Sequence, residues 1–465
     1  MHDSQKIKVA QIKNKKESLL DKSGEISLTA ILNAEPCQSI FSACIFRDRI
    51  YTPVKTVFMF IKQVLSTDKS CKNAVAQLIA EQAVMDEPLM SENTGPYVKA
   101  RQRLPEAVVK LLVKEVSKIE AKLTPIDWKP YGRELKSFDG TMLKMADTLE
   151  NRAIFSQHKN QAEGAGFPMT RLVVVMSLTL GTVLDYELDA HKGKGSGESS
   201  LLRRMMGSIE KDDIVLGDRY FPNFFLMADL NNIEADGIFR AQSQRHYDFR
   251  TGERLGKNDH LVFWTKPAKP GWMEQNSYDA YPDKLQIREF KSGGNIYVTT
   301  LLDEKKYPKK ELAKIYKRRW EIELNLRSIK SIMNMDMLVC KTPEMVKKEI
   351  GIHFLAYNFI RIIMAEACVK HHTLPWTISF KGTVQLIFAF MPHFLNSTEK
   401  NNKILYATML SLIVKNKVGN RPGRVEPRVI KQRRKAFPLL SKPRKIEKER
   451  MERKINKMIL RNAET

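Results

Sequence analysis

No stretch of this chain offers the roughly 18 uninterrupted apolar residues that a membrane-spanning helix requires. The longest apolar run, Leu172 to Leu184, carries Ser, Thr and Gly, and it reads instead as two buried strands joined by a tight turn at Gly181. The first residues, Met1 to Lys16, are polar and basic and lack the apolar core of a secretory signal. Cysteine is scarce: Cys37, Cys44, Cys71, Cys340 and Cys368 are scattered, odd in number and free of any CxxC pair. That excludes a cysteine zinc site and a disulfide framework, and it points to a reducing cytoplasm.

Acidic residues are too few to balance the basic ones. Against 78 Lys and Arg stand 53 Asp and Glu, a net charge of +25 over 465 residues. A compact protein so charged repels itself, so the surplus implies a polyanionic partner. Nucleic acid fits better than an acidic membrane surface, because no spanning segment accompanies the charge. His353, inside the apolar stretch Ile350 to Ile363, reads as a core histidine and not as a ligand.

What is present is sharpest at Tyr316, Arg319, Glu323 and Lys330. At about 100° per residue, Tyr316, Glu323 and Lys330 fall within about 40° of one another on a helix, and Arg319 widens the arc to about 60°. The stripe would run about 20 Å, with the carboxylate at its middle. Such a line can hold a metal beside a phosphodiester, the carboxylate taking the cation and the basic groups the flanking phosphates. The plainer alternative is a solvated face with an i,i+4 pair between Arg319 and Glu323.

The apolar spacing predicts a helical region over residues 1–124, with helices at Val54 to Leu65, Val75 to Val84 and Val108 to Leu123, able to form a DNA-binding head. From 125 to 222 the texture is α/β. Strands are expected at Leu135 to Leu143, Phe155, Leu172 to Met176, Val183 to Leu188 and Ile214 to Leu216, with a helix at Ser199 to Ile209. Residues 223–305 turn β-rich, at Asp236 to Arg240, His260 to Trp264, Leu285 to Phe290 and Ile296 to Leu302, and read as an insertion. Residues 306–395 resume the core, with helices at Met345 to Ala367 and Trp376 to Phe390. The remainder, 396–465, is basic: from Lys415 onward 18 Lys and Arg face 5 Glu, and Arg421 to Arg444 holds four prolines. That segment is expected as an extended arm on phosphates, against the alternative of a solvated tail.

Two aspartates stand where strands meet loops, Asp139 in Ser137-Phe138-Asp139-Gly140-Thr141 and Asp218 in Val215-Leu216-Gly217-Asp218-Arg219. Each alone is compatible with ordinary turn chemistry. With Glu323 they make a sharper expectation, three carboxylates gathered at strand ends to hold two divalent cations for phosphodiester cleavage.

These blocks together resemble the DDE transposases of bacterial insertion sequences, in the family named after insertion sequence four. The resemblance covers about Lys136 to Lys435 and rests on three motifs: Ser137 to Thr141, Gly217-Asp218-Arg219-Tyr220-Phe221, and Tyr316-x2-Arg319-x3-Glu323-x6-Lys330. Lys317 to Glu323, Cys340 to Glu344 and Asn420 to Arg428 also read as family sequence.

The resemblance implies a ribonuclease-H-like mixed sheet core flanked by helices, interrupted by a β-rich insertion, after a helical domain that recognises transposon ends. It implies Asp139, Asp218 and Glu323 as catalytic metal ligands for two Mg2+ ions, with Mn2+ able to substitute. It also implies Tyr316, Arg319 and Lys330 as DNA-binding residues at the end of the cleaved strand and an extruded base. Excision by nicking, hairpin formation and hairpin opening would follow, within a synaptic homodimer on double-stranded DNA, in a bacterial cytoplasm at the nucleoid. An insertion aromatic is expected to replace the flipped base, and Trp264 is one candidate. Two other readings stay open: a nuclease on the same core that never joins strands, and a catalytically idle DNA-binding or regulatory protein.

Overall fold

The computed structural model describes residues 28–33, 35–42, 50–121, 124–158, 160–193, 195–394, 398–419 and 440–463. Strands β1 (Leu135–Met145), β2 (Met169–Ser177) and β3 (Val183–Ala190) form an antiparallel meander. β4 (Ile214–Gly217) pairs parallel to β1, and β5 (Asp236–Arg240) parallel to β4. The order β3-β2-β1-β4-β5 is the ribonuclease-H-like mixed sheet that the resemblance implied. The meander turns at Gly181, whose φ of +79° is the left-handed conformation that glycine adopts without strain.

Asp236–Arg240, expected in the insertion, is the fifth strand of this core. Its buried Gly-Ile-Phe segment lies beside the wholly buried Ile-Val-Leu-Gly of β4, the pattern of parallel strands covered on both faces. The added strands are β6 (Glu253–Gly256), β7 (Asp259–Thr265), β8 (Lys284–Ser292) and β9 (Asn295–Thr299), which extend the same sheet from β5 through β9, β8 and β7 to β6. A short β10 (Met337–Leu338) closes on the far end of β1. Phe155 is not a strand residue: Thr148 caps the short helix Leu149–Ile154, and the Phe155 N–H ends it on the Asn151 carbonyl at 2.8 Å.

The helices include α1 (Pro53–Leu65), α2 (Cys71–Val84), α3 (Gly95–Arg103), α4 (Glu106–Ala121), α5 (Glu198–Arg204), α6 (Phe224–Asn232), α7 (Lys309–Lys317), α8 (Trp320–Arg327), α9 (Pro343–Lys370), α10 (Phe380–Phe394), α11 (Glu399–Lys415) and α12 (Arg444–Ala463). Local chemistry sets their starts. The side chains of Thr52, Ser70 and Thr342 accept the N–H of Lys55, Asn73 and Met345, and Pro53 and Pro343 sit in the first turn.

Each sheet face carries its own apolar cluster. On one face Leu135, Leu143, Val174, Ile214 and Leu216 meet α1, α4, α7, α8 and α9. On the other, Phe138, Val173, Val175 and Val215 meet α5, α6 and the inner residues of the insertion. The N-terminal helices thus share a core with the sheet. Lys69 adds a polar tie, donating to the carbonyls of Asn334 and of Met337, the latter at 3.3 Å, in the segment that follows Lys330.

Among the described residues α9 is the one helix long and apolar enough to cross a membrane, yet 83% of its apolar window is buried inside the protein. His353, on α9, is a core histidine as expected. Burial holds its pKa well below the ordinary value, and neither ring nitrogen has a partner among the described residues. The arm expected over Arg421 to Arg444 lies almost wholly outside the described residues, as does the motif Asn420 to Arg428. Beyond it the basic tail is helical: α12 is exposed along most of its described side chains and carries the ion pairs Glu447–Arg450, Lys448–Glu452 and Glu449–Arg453.

Candidate active site

Parallel pairing sets the first two acidic groups side by side. Ser137 of β1 is in register with Leu216 of β4, and an aspartate follows two residues on in each segment, Asp139 within β1 and Asp218 just past the end of β4. A two-residue step returns to the same face of a strand, so Asp139 and Asp218 both leave the sheet on the face covered by α7 and α8. The Asp139 carboxylate accepts the N–H of Gly140 at 2.8 Å, and that of Asp218 accepts the N–H of Tyr220 at 3.3 Å.

The stripe that faces them is not one straight helix. Between α7 and α8 the N–H groups of Arg318, Arg319, Glu321 and Ile322 bond three residues back, at 2.8 to 3.2 Å, and Ser328–Ile332 widens into a π turn. The first distortion overwinds the chain and the second underwinds it. Side-chain anchors account for both. Arg318 is held by the Leu178 carbonyl at 2.6 Å, by Glu321 at 2.9 Å and over the Trp376 ring at 3.9 Å. The Lys330 ammonium donates to Thr141 Oγ1 at 3.0 Å and to the Met142 carbonyl at 3.2 Å.

Tyr316 reaches the end of β4, its hydroxyl donating to the Gly217 carbonyl at 3.2 Å. Its ring packs edge-on against Tyr297 at 5.2 Å. Arg319 donates to Glu323 at 2.7 Å, with side chains only 16% and 34% exposed. All six motif residues are half-buried, so the stripe is not fully solvated, while the i,i+4 pair between Arg319 and Glu323 that the plainer alternative expected is formed.

Burial opposes the charge on Arg319, but the bond to Glu323 and the proximity of Tyr316, Glu323 and Asp218 outweigh it and hold the guanidinium above its ordinary value. Burial lowers the Lys330 ammonium, with Asp336 working against the shift.

Asp139 is pushed up to about 6, first by burial and then by the charges of Glu323 and Glu198, against the Gly140 N–H and Arg319. Between the ordinary value of 3.8 and about 6 the folded protein keeps a proton that the unfolded chain has released. The carboxyl therefore favours folding below pH 4 and loses that contribution as pH rises through about 6. We expect the melting temperature of Asp139→Asn to gain on the wild type between pH 4 and pH 7, by at least about 2 °C, in the absence of divalent ions. Parallel melting curves for the two proteins across that range would contradict the assignment.

Among the described residues no three acidic, histidine or cysteine side chains are grouped so as to hold a metal. The convergence expected of Asp139, Asp218 and Glu323 is therefore not formed as a ligating set: Glu323 faces Asp139 closely enough to act on its charge, but it is bonded to Arg319. The donor chemistry nonetheless fits hard divalent cations, since all three groups supply carboxylate oxygen. Arg319 is the group that would have to share Glu323.

The sequence motifs miss Glu198, at the start of α5, and although they contain Thr141 they give no role to its hydroxyl, which receives Lys330. The signal for Glu198 is Gly140: a glycine inside a strand marks the close approach of another group. Trp264 is not free to replace a base. It is 4% exposed, its indole N–H donates to Glu289 at 2.9 Å, and Arg245 covers its ring at 3.7 Å. Phe263, its neighbour on the opposite face of β7, is 64% exposed.

Residues 130–359 match the sequence family described as the transposase DDE domain. The chain is 25% identical over 356 residues to the transposase InsG for insertion sequence element IS4 of Escherichia coli strain K12, an alignment that covers 74% of this chain and 78% of the relative. It is 33% identical over 72 residues to the transposase for insertion sequence element IS421 of Escherichia coli, covering 16% and 19% of the two chains. Among solved structures, the piggyBac transposase synaptic complex with hairpin DNA aligns with a TM-score of 0.40 and 9% identity, over 84% of this chain and 82% of that one.

Proposed function

Because this chain belongs to the DDE transposases of the insertion sequence four family, we propose that it acts by cut-and-paste: it binds the terminal inverted repeats of its element, cleaves the DNA at those ends and joins them to a target. The observation that carries the reading is the register of β1 and β4, which puts Asp139 and Asp218 on one face beneath Glu323 and Arg319. When bound there, two Mg2+ ions would activate the attacking oxygen and stabilise the departing one.

The chain's own groups do the rest. Asp139, Asp218 and Glu323 would supply the negative oxygens that hold the cations. Arg319 keeps Glu323 oriented until the site is loaded, and its charge then faces the phosphate of the cleaved strand. Tyr316 and Lys330, at the two ends of the stripe, bracket the strand terminus, and the tyrosine ring offers a face to an unstacked base. Two copies act in a synaptic dimer, one at each end of the element.

The decisive assay offers purified protein a linear duplex carrying the element's own termini, with Mg2+, and in parallel precleaved ends with a supercoiled target. A transposase yields both cut ends and joined product. Cutting without joining would favour a nuclease, and binding without either would favour a regulatory protein.

The basic residues are tested by salt. Arg319→Ala and Lys330→Ala are each expected to weaken end binding and to reduce the slope of log K against log salt by about 1. Slopes equal to that of the wild type would mean that these side chains do not meet phosphate.

A further inference from the structure

Glu198 lies outside the three motifs, yet it touches the strand that carries Asp139. A Cβ built on Gly140 would lie 2.4 Å from Glu198 Oε1 and 2.5 Å from its Cδ, so the carboxylate rests directly on the α-carbon next to Asp139. Any side chain at 140 would expel it.

The sheet is open at this point. β1 pairs with β4 only from Leu135 to Ser137 and with β10 only at Lys144 and Met145. The edge from Phe138 to Leu143 therefore has no strand beside it on that side, among the described residues. Gly140 turns toward the face where α5 packs, while Asp139 turns toward the face of α7 and α8. Through the notch beyond the end of β4, a group from the α5 face can approach the place where Asp139 and Asp218 stand.

The electrostatics of that placement are unbalanced. No hydrogen bond or ion pair engages Glu198 among the described residues. Glu198 is exposed to solvent, yet its carboxylate is set against a second, half-buried one with no cationic partner among the described residues, an arrangement that a bound cation would stabilise. Glu323 is meanwhile occupied by Arg319. A first-turn acidic residue also favours its own helix, but that role does not require contact with Gly140.

We propose that Glu198 is a fourth acidic group of the cation site, and that Gly140 is glycine in order to admit it. The proposal rests on the two-cation reading above and extends it. Glu198 raises the affinity for divalent ions from the α5 face, directly or through a coordinated water, and the site remains incomplete when residue 140 carries a side chain.

The test measures Mn2+ binding to the full-length protein from the electron paramagnetic resonance signal of free Mn2+, for the wild type, Glu198→Gln, Gly140→Ala and Asp139→Asn, with melting temperatures alongside. Glu198→Gln and Gly140→Ala are expected to weaken binding about tenfold. The Mg2+ needed for half-maximal end cleavage should rise by a similar factor, with cleavage recovered at high Mg2+. Asp139→Asn should not recover at any concentration. A Glu198→Gln protein with wild-type Mn2+ affinity overturns the proposal, whether its melting temperature falls or holds. If Asp139→Asn also binds Mn2+ as the wild type does, the cation site itself is misplaced, and both readings fall together.

Discussion

Asp139→Asn and Asp218→Asn will each abolish cleavage at the element's ends, by at least about a thousandfold, while the protein still binds those ends. A loss of that size is roughly 4 kcal/mol of transition-state stabilisation, the scale expected when a charged ligand of a catalytic cation is replaced by a neutral one. Asparagine preserves shape and backbone hydrogen bonding, so the sheet should survive. At Asp139 the substitution even removes a carboxylate that burial already penalises. Folding and chemistry thus move in opposite directions at this position, which separates a loss of catalysis from a loss of structure.

Glu323→Gln should be as inactive, with an added effect on Arg319, whose partner at 2.7 Å loses its charge. The measurement is single-turnover cleavage of a labelled end duplex, with band-shift binding as the control. Retained Mg2+-dependent cleavage in any of the three variants would refute the site.

The second large effect is structural and lies in the strands that extend the sheet beyond β5. Arg288 is wholly buried, and its Nε and Nη2 both donate to the Asp259 carboxylate at 2.8 Å while Nη1 donates to the Tyr307 carbonyl at 2.8 Å. The guanidinium thus ties β8 to β7 and to the segment that leads into α7. Arg288→Met leaves Asp259 buried and unpaired, and should cost about 3–5 kcal/mol in urea unfolding.

The pair itself need not be a net source of stability. Asp259→Leu combined with Arg288→Met should recover most of the loss, because an apolar pair of similar volume avoids the desolvation of both charges. A single variant within about 1 kcal/mol of the wild type would show that water reaches this site and that the pair is not desolvated. Since Tyr307 lies two residues before the start of α7, the single variant should also loosen the placement of Tyr316, seen as weaker end binding.

Much of the architecture could be read from residue order. Unbroken apolar runs such as Val173-Val174-Val175 and Ile214-Val215-Leu216 announce strands buried on both faces, and the three-and-four spacing of α1, α4 and α9 announces helices. These signals are local, because a strand or helix records its own burial in its own period. Errors arose where the deciding partner is remote. Asp236–Arg240 looks the same whether it opens an insertion or ends a core sheet, and only its pairing with β4 decides. Single aromatics such as Phe155 carry no period at all.

The chemistry divides along the same line. Residue identity and spacing determined that Asp139, Asp218, Glu323, Tyr316, Arg319 and Lys330 are the groups to examine, and the charge of +25 pointed to a polyanionic partner. Both are properties of the covalent chain. Tertiary structure decided that α7 and α8 are broken apart at Arg318 and Arg319, that Arg319 holds Glu323, that Lys330 is anchored on Thr141, and that Glu198 lies on Gly140. Each of those outcomes is a contact between segments distant in the chain or a turn bent by such a contact. Short-range periodicity carries no term for a hydrogen bond across 189 residues, such as the one between Lys330 and Thr141, so the arrangement of the site becomes visible only once the sheet and its helices have packed.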